Sequence, residues 1–177
     1  MKTRRLLFKS GLFLIPLCIF FLITSCEKDE DNPDYAGSWA LTGTIKIDNR
    51  IMGYKDNYTF TGSTFSEIKQ INDPDINEWL DFFGLKGSIL VDENVINFTI
   101  TEIGISGSNS ITGMPNGKMV YYKDTQSGFS DLLSQIGGEQ AFSSEYVITG
   151  NTMTLSTDYN GDADYDDEGE IMIYLRL

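Results

Sequence analysis

The sequence predicts an all-β protein, an antiparallel up-and-down barrel of about eight short strands with two short helices. Three observations carry that reading. From Tyr35 onward apolar and polar residues alternate with period two, which gives each segment one face for a core and one for water. Turn-forming pairs such as Asp48-Asn49, Asn116-Gly117 and Gly150-Asn151 interrupt the alternation at short intervals, the signature of a barrel or sandwich. The chain is 41% apolar and 12% aromatic, enough material for one core.

In chain order, Trp39, Leu41, Ile45 and Ile47 alternate with Ala40, Thr42, Thr44 and Lys46, so the first strand has one apolar face. Asp48-Asn49 turns the chain into a second strand carrying Tyr54, Tyr58 and Phe60. Thr61-Gly62-Ser63 leads into Thr64–Lys69, and Gly87–Val91 and Val95–Thr101 flank Asp92-Glu93-Asn94. Lys118–Lys123 follows Asn116-Gly117. Tyr146–Thr149 and Thr152–Ser156 flank Gly150-Asn151, whose leading Gly suits a type II′ hairpin turn. Glu170–Leu177 is a final apolar alternation.

Two segments read as helices. Asp73-Pro74 provides an N-cap and a first-position proline, Ile76, Trp79, Leu80 and Phe83 fall at i, i+3, i+4 and i+7, and Gly84 follows as a stop. Phe129, Leu132, Leu133 and Ile136 repeat the spacing, with Ser127 or Ser130 as cap and Gly137-Gly138 as stop. Both are too short to persist alone and must bury their stripes against the sheet.

The N-terminus has a different character. Lys2, Arg4, Arg5 and Lys9 precede an uncharged apolar run, Gly11 to Ile23, of 13 residues. A spanning helix needs roughly 20, so the pattern reads as a secretory signal. Residues Ile23-Thr24-Ser25-Cys26 resemble a bacterial lipobox, in which the chain is cut before the cysteine and the cysteine is lipidated. Lys28-Asp29-Glu30 resembles the acidic signal that sends lipoproteins of Bacteroidetes-type bacteria to the outer face of the outer membrane. The resemblance implies a cleaved signal at 1–25, a lipidated acidic tether at 26–34 and a domain at 35–177. It also implies a diacylglycerol and an N-acyl chain such as palmitate on Cys26, enough for stable anchoring where a single chain is not.

Cutting before Cys26 removes four basic residues and no acid, so the formal charge falls from −13 to −17. Nucleic acid is thereby excluded as a partner, because phosphate recognition needs clustered Lys and Arg. Acidity on that scale keeps the domain soluble and monomeric and favours cationic ligands. The chain has no histidine, Cys18 lies in the signal and Cys26 is taken by lipid. General-base histidine, the Ser-His-Asp triad and a nucleophilic thiol are all absent, and the expectation is a protein that is not an enzyme.

Gly37-Ser38-Trp39 opens the first strand. It resembles the GxW motif of lipocalin and fatty-acid-binding barrels and of small lipocalin-like lipoproteins. In that superfamily the Trp closes one barrel end and an Arg near the C-terminus packs across it, which implies the set Gly37, Trp39 and Arg176. The apolar parity of Ile171, Ile173, Leu175 and Leu177 argues against the pairing, since it leaves Arg176 on the opposite face. Asp158, Asn160, Asp162 and Asp164 present oxygen ligands at alternate positions, a pattern that resembles the start of an EF-hand-type calcium loop. Ala163 stands where that loop needs Gly, and Gly169 where it needs the bidentate Glu, so a solvated acidic loop competes with a calcium site. The leading functional expectation is a small hydrophobic ligand held inside the barrel. The alternative is a non-catalytic accessory or protein-interaction module of an outer-membrane complex, with the barrel filled by its own aromatics.

Overall fold

A computed structural model describes residues 33–47, 50–74, 77–108, 115–158, 165 and 170–177. The signal, the tether up to residue 32 with Cys26, and Asn160, Asp162 and Asp164 lie outside the described residues. The nine strands are β1 (Gly37–Ile47), β2 (Arg50–Phe60), β3 (Thr64–Asp73), β4 (Glu78–Asp92), β5 (Val95–Ser108), β6 (Pro115–Lys123), β7 (Ala141–Thr149), β8 (Thr152–Ser156) and β9 (Ile171–Arg176). Among the described residues one helix, α1 (Phe129–Gln135), links β6 to β7. Every pairing is antiparallel, in the order β4-β3-β2-β1-β9-β8-β7-β5-β6, and β4 also pairs with β5. That last ladder closes eight strands into a barrel and leaves β6 as an extra strand, so the antiparallel barrel expected from the alternation is the fold observed. Among the described residues no helix is long and apolar enough to cross a membrane.

The first expected helix is a strand. Asp73 ends β3 and residues 78–83 begin β4, with Asp73 opposite Glu78 and Lys69 opposite Phe83. Asn77 has φ 53, a left-handed residue that ends any helical path there. The segment contains a bulge: Gln70 pairs with Asp81 and Lys69 with Phe83, so Phe82 is an extra residue, and Leu80 and Phe83, three apart, come to one side. The bulge turns Phe82 and Phe83 to the same side, while Trp79 lies on the outer face, with the Lys55 ammonium 4.1 Å from its ring centroid. A two-turn helix with no partner is marginal, whereas this segment gains a full ladder with β3 and then one with β5.

The second helix forms, with a different cap. Gly128 (φ 102) is the N-cap and no side chain caps the helix, so neither Ser127 nor Ser130 has the expected role. The stop is as read: Gly137 (φ 67) lies just past the end, its N–H donates to the Ser134 carbonyl, and the Gly138 N–H donates to Leu133. Gly150 likewise has φ 61 while Asn151 is not left-handed, the combination a type II′ hairpin requires.

β5 has two partners along one edge. Val95–Thr99 pairs with β7, Glu102–Ser108 pairs with β6, and a bulge at Thr101 separates the halves. The chain between β6 and β7 fills the resulting split in the wall. Ile100 N–H donates to the Gln140 carbonyl and Gln140 Nε2 donates back to the Ile100 carbonyl, which clamps the segment after α1 onto that bulge. Phe129 is buried in the core from above, while Ile136 at the helix end is exposed.

The core gathers at the end where β1 begins and β9 finishes: Trp39, Phe60, Phe65, Ile96, Phe98 and Met153 are buried there. Phe98 packs edge-on to Phe65 at 5.0 Å and stacks on Phe142 at 4.6 Å, geometries that suit ring quadrupoles. The parity problem in β9 resolves in an unexpected direction. Ile171, Ile173, Leu175 and Leu177 are 48%, 56%, 58% and 78% exposed, whereas Tyr174 is buried. The apolar set faces outward, and the face that holds Arg176 is the inner one.

Candidate functional site

Two constellations stand at the two ends of the barrel. At the end where β1 begins, Trp39 lies opposite Tyr58 on β2 and opposite Arg176 on β9. The Arg176 guanidinium is 4.4 Å from the Trp39 ring centroid, and it donates to the Asp34 carbonyl. Trp39 Nε1 donates to the Tyr35 carbonyl at 2.8 Å, and Tyr35 OH donates to the Gly62 carbonyl at 3.1 Å. Gly37 has φ 126, a conformation open to glycine alone, and it bends the chain from residues 33–36 into β1. Gly37, Trp39 and Arg176 therefore meet in space. The Trp39 indole N–H and the Arg176 guanidinium both donate to backbone carbonyls at this end.

Among the described residues the other end is open. Where β7 starts and β8 finishes, a cavity of about 800 Å³ lies inside the wall, between Phe82, Phe83 and Leu85 of β4, Phe142 of β7 and the segment after α1. That volume is within the range of small-molecule sites. The segment Ile136–Glu139 forms its rim, so the split between β6 and β7 supplies both the opening and its edge.

The cavity floor is charged. Inner-facing positions alternate along a strand, and on β2 and β3 they include Asp56, Glu67 and Lys69 beside Tyr58, Phe60 and Phe65. Lys69 Nζ is 3.0 Å from Glu67 Oε1, and the two side chains are 27% and 3% exposed. Tyr174 OH donates to Asp56 Oδ2 at 3.0 Å, and the Asp56 carboxyl also interacts with Glu67 through a side-chain hydrogen bond. Burial pushes the Asp56 carboxyl up to about 7, and the Glu67 carboxylate adds to the rise, against Lys69 and the Tyr174 hydrogen bond. For Lys69, burial favours the neutral amine, yet the Glu67 and Asp56 carboxylates outweigh it and hold the ammonium above its ordinary pKa. The floor thus has Glu67 and one permanent cation, Lys69, with Asp56 buried behind them and carrying a proton that is exchangeable near neutrality.

Next to the floor a void of about 20 Å³ runs toward Met172 and Tyr174, room for one water-sized group. Ser144 Oγ and Thr157 Oγ1, also along that void, are 2.6 Å apart and satisfy each other.

Of the expected calcium ligands only Asp158 is described, and it lines the cavity rim. Among the described residues no three acidic or cysteine side chains converge as a metal site. Asp56, Glu67 and Lys69 were not singled out by sequence. Their signal was available: each sits on the apolar parity of its strand, with Tyr54, Tyr58 and Phe60 on one and Phe65 and Ile71 on the other. No protein-family model matches the chain, and no curated protein matches it in sequence.

Proposed function

We propose that this chain is an exported lipoprotein, anchored in an outer membrane through lipid on Cys26, whose barrel binds a small and largely apolar molecule. The observation that supports binding is the cavity of about 800 Å³ with aromatic and aliphatic walls and a polar floor. An apolar body entering it leaves water, which drives binding, while the few polar groups of the floor set orientation. Eight-stranded barrels are narrow enough for their own side chains to fill. Here the switch of β5 from β7 to β6 opens the wall and leaves space that side chains do not occupy.

Native mass spectrometry of the protein purified from its own host is the test. A co-purifying small molecule that is lost from a Phe142→Trp variant, which narrows the cavity, supports the reading. Consistent absence of any bound mass, together with no uptake of an apolar fluorescent probe, refutes it. Replacing Cys26 with Ser should release the protein from membranes, and continued partitioning after signal removal would refute the anchor.

One observation favours the second reading, an interaction module. Ile171, Ile173 and Leu175 form an exposed apolar stripe on β9, and Val147 extends it, since Val147 and Ile173 both face Thr154 of β8. Exposed apolar patches of this kind mark contact surfaces. Ile173→Asp would then abolish co-isolation with a membrane complex while leaving ligand uptake intact.

A further inference from the structure

We propose that the cavity selects an organic ammonium, an apolar body with a protonated amine head, and seats that head on the Glu67 carboxylate with Asp56 behind it. This rests on the reading of the cavity as a ligand site and adds the charge of the ligand.

Four observations lead to it. Acidic groups outnumber basic ones around the cavity: Glu67 on the floor and Glu139 and Asp158 at the rim face a single cation, Lys69. Asp56 adjoins that set from beneath, opposite Lys69 in the β2–β3 register. The walls are rings, Tyr58, Phe82, Phe83 and Phe142, and ring faces attract cations. The floor already stabilises an ammonium, since Lys69 is held there by Glu67 at 3.0 Å with its Nζ 5.8 Å from the Phe83 centroid. Finally, Asp56 is 1% exposed and interacts with Glu67 through charge and a side-chain hydrogen bond, so a second carboxyl stands directly behind Glu67. While Asp56 keeps its proton Lys69 balances Glu67, and once that proton leaves one Lys cannot neutralise two carboxylates, so the ammonium of a ligand beside Glu67 would supply the missing charge. An anionic head would meet Lys69 but also Glu67, Glu139 and Asp158, and a neutral head would leave the proton on Asp56 and gain no ion pair.

Proton exchange follows from the same geometry. Asp56 faces Glu67 and Lys69 on β3 and Tyr174 on β9, and Tyr54 on its own strand acts on Lys69. An arriving ammonium takes the place of the proton on Asp56, so the proton leaves to solvent and no covalent bond changes.

The test compares dodecylammonium, dodecanol and dodecanoate, each below its aggregation limit, by calorimetry at pH 7 in two buffers of different ionisation enthalpy. Dodecylammonium should bind at least ten-fold more tightly than dodecanol and dodecanoate most weakly, with proton release seen only for the amine. Asp56→Asn should abolish the proton release and bring the amine to within about three-fold of the alcohol. Should that variant not fold, Glu139→Gln on the exposed rim should still weaken the amine and leave the alcohol unchanged. Equal binding of amine and alcohol, or tightest binding of dodecanoate, overturns the proposal while the apolar cavity stands. Failure of all three to bind overturns the ligand-binding reading and this proposal with it.

Discussion

The two ends of the barrel are built from the same strands and differ in what their inner faces hold. At the Trp39 end the inner positions are aromatic or aliphatic, ring packs on ring, and Trp39 is fully buried beneath Arg176. At the cavity end the same alternation on β2 and β3 places Asp56, Glu67 and Lys69 inside. Burying apolar rings stabilises the fold, whereas buried acids cost stability unless they are paired, and pairs of this kind are commonly neutral or unfavourable overall. One end therefore holds the protein together, and the other retains groups that folding alone does not need.

The largest expected effect tests the stabilising end. Trp39→Ala should lower stability by about 3–5 kcal/mol, as for other buried large aromatics, read by denaturant unfolding. A loss under about 1 kcal/mol would mean that this end is not where the core is anchored.

Asp56→Asn probes the opposite end and should move stability the other way at neutral and alkaline pH. The folded carboxyl, at about 7, lies above its ordinary 3.8, so the folded state keeps a proton that the unfolded chain has lost. Wild-type stability therefore falls as pH rises from about 4 to 7 and is constant above that, while below about 4 both states are protonated and the site contributes nothing differential. The Asn variant escapes that penalty. Its advantage should be on the order of 2 kcal/mol at pH 8 and vanish toward pH 4. Thermal unfolding across that range checks it, and a pH-independent difference would contradict a titrating Asp56.

Smaller effects sharpen the contrast. A double-mutant cycle on Trp39 and Arg176 should give a coupling of about 0.5–1 kcal/mol, the range for a cation over a ring at an exposed site, and additivity would deny the stack. Phe83→Ala at the cavity wall should cost about 1 kcal/mol or less because the ring is only half-buried, yet it should change uptake of an apolar probe several-fold. Ile173→Ser on the outer stripe should alter stability by about 0.5 kcal/mol or less and raise solubility, as measured by precipitation with ammonium sulfate.

Most of the fold was legible in local pattern. Alternation located β1, β2, β7 and β8, and glycine chemistry located the Gly150 turn and the Gly137 stop. The segment at Trp79–Phe83 was not legible, because a bulge brings Leu80 and Phe83, three apart, to one side, while Trp79 belongs to the outer face. The direction of β9 was not legible either, because four apolar residues on one parity ordinarily mark the core. The site was legible only in part. Gly37, Trp39 and Arg176 follow from a motif, but Asp56, Glu67 and Lys69 become a group only once β2 and β3 are in register.

Sequence by itself determined the composition-level properties: strong acidity, no histidine, an apolar N-terminal run before Cys26, and strands in place of helices. These depend on residue type and on spacing within one segment. Which face of β9 is the core, which charges share a buried floor and whether the barrel keeps a cavity depend on the register between strands and on the split of β5 between β6 and β7. Those are long-range pairings, and each is decided by the closure of the whole sheet, which no single segment encodes.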